Sequence, residues 1–144
     1  FVRLERLVRG PDDAAPGCDG CTACCVVLPI VELRKPARRA CDHVDRAGCR
    51  VHPTRPESCR AFHCAWVRGA VTGGEATRPD VLGVMFDAFR ERGAEGVRVV
   101  AHELWPGALE GEAARGVIRS LAAAHEVALS HRDGRWSVVS PGDP

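Results

Sequence analysis

Eight cysteines, Cys18, Cys21, Cys24, Cys25, Cys41, Cys49, Cys59 and Cys64, all fall between residues 18 and 64, and residues 65 to 144 contain none. This modular distribution constrains the chain more than any other feature. A chain of 144 residues is long enough to bury a core without covalent staples. The thiols therefore point to metal. A disulfide-stapled secreted domain is the competing reading and predicts neither metal nor reduced thiols. It is disfavoured because disulfides usually staple chains too short to make a core, and here a long cysteine-free segment follows.

The segment CDGCTACC, residues 18 to 25, places four thiols at C-x2-C-x2-C-C spacing. Two intervening residues let a chain curl so that both sulfurs face one ion, and Gly20 lets backbone amides approach the sulfurs. Three thiols in this run also match the ferredoxin spacing, in which a distant cysteine completes a cluster. Cys41, Cys49, Cys59 and Cys64 are spaced more widely and must converge by folding, at an ordering cost that metal binding offsets. Thiolates select zinc or iron–sulfur over hard cations. Structural zinc takes four ligands, so eight thiols fit two zinc sites, or one cluster plus one zinc. Adjacent Cys24 and Cys25 cannot point the same way in an extended chain, which predicts different metals for them, or a ligand and a non-ligand role.

The run C-x2-C-x2-CC followed by C…GC-x-V-H-x-x-R-P-x-x-C-R-x-F-x-C resembles the YkgJ-type cysteine-cluster family of zinc- or iron-chelating domains. The resemblance rests on the eight cysteines with Gly48, Arg55, Pro56, Arg60 and Phe62, and covers residues 18 to 64, about one third of the chain. It implies metal binding and no particular reaction. A similar motif occurs in a flagellin lysine methylase associated with an iron–sulfur cluster. One departure is His52, where many members carry tyrosine; it adds an imidazole near the cluster.

Other residues carry a functional and an ordinary reading. His43, His52 and His63 lie among the cysteines and can replace a thiol on zinc, but an eight-cysteine set does not need them. Arg55 and Arg60 are suited either to offsetting thiolate charge or to helix-surface ion pairs. His102 and Glu103 read as an acid/base pair or, with no third partner in view, as a strand end packed under a tryptophan. Trp66, Trp105 and Trp136 read as core or interface residues.

Net charge is +1, so no global field attracts nucleic acid or an anionic membrane. No apolar run is long enough to span a bilayer and the first 25 residues lack a signal-peptide apolar stretch, so the expected location is the cytoplasm. The expected partners are metal ions and a protein redox or enzyme partner, with no nucleic acid and no membrane.

Along the chain, residues 1 to 17 form a short amphipathic piece and a Pro/Gly/Asp-rich linker. Thr54, with Glu57 three residues on, predicts a helix start, the helix running to about Val67 with Cys59, Phe62, His63 and Trp66 on one inward face. Val81 to Phe89 and Val97 to Leu104 predict strands. Residues 112 to 125 predict an amphipathic helix with an acidic first turn. Asp133-Gly134 predicts a two-residue hairpin between Val127–Arg132 and Arg135–Ser140. The expected fold is α+β in a single domain over 1–144. An irregular, short-helical cysteine region (18–70) packs on a small, mostly antiparallel sheet with one flanking helix (76–144).

Three functional classes follow. A closed metal-binding module explains thiols numerous enough to fill every coordination position. An iron–sulfur redox protein explains the C-x2-C-x2-C run. An enzyme requires a metal with an open position for substrate.

Overall fold

The strict alternation of RVVAHE, residues 98 to 103, buries Val99, Ala101 and Glu103 on one side of a strand and leaves Val100 and His102 on the other. This strand is the centre of a four-stranded sheet in the computed structural model, which describes residues 2–8, 21, 23–45, 48–50, 54, 57, 59, 62–90 and 96–141. The order is β3 (Val84–Phe89), β4 (Arg98–Glu103), β5 (Val127–Ser130) and β6 (Trp136–Val139). β3 pairs with β4 and β5 with β6 antiparallel, while β4 and β5 run parallel. A parallel pair needs a crossover, and the helix Glu112–Ala122 lies within it.

That helix buries Ala114, Val117, Ile118, Leu121 and Ala122, spaced at i, i+3, i+4, i+7 and i+8. They share one core with Val84, Phe86, Ala88, Val99, Ala101 and Val127 of the sheet. Full burial of each Val, Leu or Ile here contributes roughly 1.5–3 kcal/mol. The fold is thus α+β with short helices and a small, mostly antiparallel sheet, as expected.

The cysteine region adds α1 (Ala23–Val27) and a small hairpin, β1 (Val44–Asp45) with β2 (Gly48–Cys49). Within the second half, α2 (Pro79–Leu82) precedes β3, and Glu112–Ala122 is α3. The hydrophobic core is continuous across both parts: Leu7, Ala23, Val27, Cys64, Ala65 and Trp66 belong to it together with the sheet and α3. Leu7 gives the amphipathic opening segment its packing role, with no exposed surface. Val2 bridges Val71, and the amide of Arg3 donates to the carbonyl of Ala70 at 2.6 Å.

Three local expectations need correction. The helix beginning near Thr54 does not reach Val67. Backbone at Glu57 and Cys59 is helical, but Phe62 to Cys64 are not, and residues 65 to 69 form turns. The amide of Ala65 instead donates to the carbonyl of Phe86 at 2.8 Å, so the outer edge of β3 captures the chain. Cys59, Phe62, His63 and Trp66 therefore do not share one helix face. Secondly, Val81 and Leu82 are not strand: Pro79 at the helix start and Gly83 in the left-handed conformation (φ 86°) close one turn of helix before β3. Gly83 is also the floor on which Trp105 rests, since a Cβ there would lie 2.6 Å from the indole ring. Thirdly, the last hairpin has a three-residue loop. The amide of His131 donates to the carbonyl of Arg135 (2.9 Å), and that of Gly134 to the carbonyl of His131 (3.0 Å). Gly134 alone in the loop takes positive φ. Asp133 sets this geometry: its carboxylate accepts from the backbone amide and Nε of Arg135, both at 2.9 Å.

Among the described residues, no helix is long and apolar enough to cross a membrane.

Candidate metal centre

Consecutive residues on a helix point about 100° apart, and this separates Cys24 from Cys25 on α1. Cys24 packs against the main core. Cys25 shares an electrostatic neighbourhood with three thiols from other segments. The amide of Cys41 donates to the carbonyl of Cys25 at 3.1 Å, which fixes the 41–44 turn against α1. The carbonyl of Cys41 accepts from Val44 (3.2 Å), and Val44 pairs with Cys49 across the β1–β2 hairpin. The hairpin is short, but it returns Cys49 to the side of the turn that holds Cys41.

Cys59 completes this group. Burial pushes its thiol above the ordinary cysteine value, and negative charge on Cys25, Cys41, Cys49 and Glu32 pushes it further. Four thiols separated by as many as 34 positions in sequence thus share one electrostatic neighbourhood. They do not close on an ion: among the described residues no group of three or more His, Cys, Asp or Glu is arranged to hold a metal. None of the seven described cysteines is joined in a disulfide. The donor chemistry fits a thiophilic metal. Four half-buried or buried soft ligands come from segments that only folding brings together.

The remaining described cysteines lie elsewhere. Cys64 is buried in the core beside Ala65 and Trp66. Cys21 is half-buried and packs against the same core. Burial raises its thiol, opposed by the backbone amides of Ala23 and Asp80, so it faces α2 and not the Cys59 group. Cys18, His52, Arg55 and Arg60 lie outside the described residues. His63 is half-buried, and its carbonyl accepts from Nε of Arg68 at 2.9 Å. His43 lines a pocket of about 220 Å³ that reaches Cys41 between Arg34, Lys35, Arg39 and Asp42.

Two cations in this region carry no signal in the sequence. Lys35 is only 8% exposed. Its ammonium donates to the carbonyls of Leu28 (2.5 Å), Pro36 (2.9 Å) and Val26 (3.3 Å). Burial lowers its pKa, while thiolate charge at Cys41, Cys25 and Cys24 raises it. Arg38, at φ 62°, reaches across to the sheet. Its guanidinium donates to the carbonyl of Glu103 (2.8 Å), the carbonyl of Ser130 (2.6 Å) and the hydroxyl of Ser130 (2.7 Å). It thereby caps the carboxyl ends of the parallel pair β4–β5.

His102 and Glu103 are not an acid/base pair in this arrangement, because successive strand residues face opposite sides of the sheet. The Glu103 carboxylate is buried and accepts from the amides of Leu109 (3.3 Å) and Arg132 (2.9 Å), tying two loops together. His102 lies between Met85 and Ser130 in register. Burial, and secondarily the charge of Arg38, lower its pKa to about 4. Of the three tryptophans, Trp66 is core and donates to the carbonyl of Gly74 at 2.9 Å, while Trp105 and Trp136 are exposed.

No family model, curated protein or solved structure matches this chain.

Proposed function

We propose that this chain is a metal-binding cysteine-cluster protein of the YkgJ type, chelating zinc, an iron–sulfur cluster or both through Cys18, Cys21, Cys24, Cys25, Cys41, Cys49, Cys59 and Cys64. The observation that carries the reading is that negative charge on Cys25, Cys41 and Cys49, thiols from separate segments, is felt at Cys59, although these four do not close on an ion. In this reading those four form one tetrathiolate site, and Cys18, Cys21, Cys24 and Cys64 serve a second. The division gives Cys24 and Cys25 different metals. A closed four-thiolate zinc site is structural, and ligand binding then contributes folding free energy to the cysteine region. Reduced thiols are expected in the cytoplasm, with metal ions and a protein redox or enzyme partner as the interacting species.

An iron–sulfur redox protein, or an accessory enzyme with an open metal position, is the second reading. The C-x2-C-x2-C run favours it, as does the pocket beside Cys41, which gives a small molecule a path to one of the proposed ligands.

Cobalt(II) substitution tests the division of ligands. Its sulfur-to-metal charge-transfer absorption grows with the number of bound thiolates, and its visible bands report tetrahedral geometry. Cys49→Ser is expected to weaken one of two saturable sites and leave the other intact, whereas Cys21→Ser weakens the other. Identical cobalt spectra and stoichiometry in Cys49→Ser and the parent protein would remove Cys49 from the ligand set.

A further inference from the structure

Between residues 33 and 43 the chain wraps a pocket of about 220 Å³ that collects positive charge. Arg34, Lys35 and Arg39 face the single carboxylate of Asp42, three positive charges against one negative and a net of +2 with His43 neutral. The whole chain carries only +1, so this charge is a local feature. The three cations differ in what they are free to do. The Lys35 ammonium is buried and already donates to the carbonyls of Val26, Leu28 and Pro36, so it contributes a fixed charge and no spare donor. The charge of Arg39 is near enough to be felt at that ammonium. Arg34 and Arg39 are exposed, and among the described residues neither guanidinium has a hydrogen bond or ion pair. Two neighbouring arginines are committed instead, Arg38 to Glu103 and Ser130, and Arg50 to the carbonyls of Asp42 and His43. The amide of Arg50 also donates to the His43 carbonyl at 2.8 Å, which holds that wall of the pocket in place.

The backbone at Arg34 is a second, independent observation. Mutual hydrogen bonds between Ile30 and Lys35, at 3.0 and 3.1 Å, close a tight loop over the turn Val31–Leu33. Arg34 ends that turn in the left-handed conformation, at φ 52° and ψ 30°. Glycine takes this conformation without strain, whereas a residue with a Cβ does not. Strain retained in order to carry a long cationic side chain at a pocket is the pattern found at ligand clamps.

We propose that this pocket binds a phosphate dianion, free or as the monoester of a small molecule, with Arg34 and Arg39 donating to its oxygens and Lys35 supplying fixed positive charge at the wall. Guanidinium forks match pairs of phosphate oxygens, and a dianion matches the net charge of the lining. A water occupies about 30 Å³ of liquid, so the pocket has the space of about seven waters. That admits a phosphate with a short carbon tail, against Leu33 and Pro36, and excludes a nucleotide. The proposal goes beyond the metal-binding reading and does not depend on it, because no thiol takes part. The ordinary alternative is a pair of solvated arginines on a surface loop, screened by salt and without a ligand.

The test is a titration of the reduced full chain, isotopically labelled on its arginine side chains, with inorganic phosphate, glycerol phosphate and acetate at matched ionic strength. Saturable shifts of the Nε signals of Arg34 and Arg39 are expected with both phosphates, and a weaker response with the monoanion acetate. Tighter binding of glycerol phosphate identifies a monoester as the ligand, and equal affinity identifies the free ion. Arg34→Gly relieves the backbone strain, so it is expected to fold with a Tm at or above that of the parent. Its phosphate affinity is nevertheless expected to fall by roughly tenfold or more, the worth of one charge-assisted hydrogen bond. Arg39→Gln is expected to lose a similar factor. Arg115→Gln, which removes an equal charge from the exposed side of α3, is expected to lose none. Shifts that follow ionic strength alone, or phosphate affinity equal in Arg34→Gly and the parent, would overturn the proposal and leave the two arginines as solvated surface charge.

Discussion

Arg38→Ala probes the joint between the cysteine region and the sheet. The guanidinium makes three charge-assisted hydrogen bonds at 2.6–2.8 Å, and Ser130, which receives two of them, is only 4% exposed. A hydrogen bond to a charged group contributes about 1.5–3 kcal/mol, and loss of the donor leaves a buried acceptor unmatched. The three bonds share one half-buried cation and are not additive, so the expected loss is about 3 kcal/mol. In a domain of this size each kcal/mol moves Tm by about 3 °C, which gives a fall of about 9 °C. Backbone strain provides an internal control. Arg38 has φ 62°, a left-handed conformation that costs a residue with a Cβ about 1 kcal/mol. Arg38→Gly removes the same bonds but relieves the strain, so it should be about 1 kcal/mol more stable than Arg38→Ala. The assay is denaturant and thermal unfolding at one fixed, saturating metal concentration, because bound metal itself shifts apparent stability. Arg38→Ala within about 0.5 kcal/mol of the parent, or Arg38→Gly less stable than Arg38→Ala, would refute the reasoning.

His102 makes stability pH-dependent. Its pKa is about 4 in the folded chain against 6.5 for the unperturbed side chain, so the unfolded state binds more protons between these values and stability falls as pH drops through this window. The effect is full above pH 6.5 and approaches a loss of about 3 kcal/mol near pH 4; His102→Gln should flatten that part of a stability profile, and an unchanged acid limb would contradict it. At Gly83, positive φ and an indole carbon 2.6 Å from any added Cβ make Gly83→Ala destabilising by about 2–4 kcal/mol. Equilibrium unfolding checks this, together with the loss of any fluorescence signature of a packed Trp105; a Tm within 2 °C of the parent would show that the loop relaxes around the methyl group.

The parts of the fold legible in sequence are those in which one local period decides the outcome. Val117, Ile118, Leu121 and Ala122 specify the core face of α3, and Val99, Ala101 and Glu103 alternate through β4. The α2 turn carried a readable signal, Pro79 followed by Gly83, but two adjacent apolar residues outweighed it. Periodicity does not reveal that the helix stops beyond Cys59, because the competing partner of the Ala65 amide is the edge of β3, 21 residues beyond Ala65 at Phe86. A hairpin of two-residue strands leaves no pattern to read at all. At the candidate site, cysteine spacing nominated every thiol of the group around Cys59. It did not nominate Lys35 or Arg38, whose roles come from carbonyls and thiols that only the tertiary fold places around them.

The central claim is that these cysteines hold metal, and the most direct measurement is the zinc, iron and acid-labile sulfide content per chain of protein purified without oxygen, alongside its visible spectrum. The account predicts two tetrathiolate centres. They would be seen as two zinc ions in a colourless protein, or as iron and sulfide in matching amounts in a brown one, with one zinc where only one centre is a cluster. Metal-free protein whose cysteines resist alkylation until reduced would contradict it and return the chain to the disulfide-stapled class.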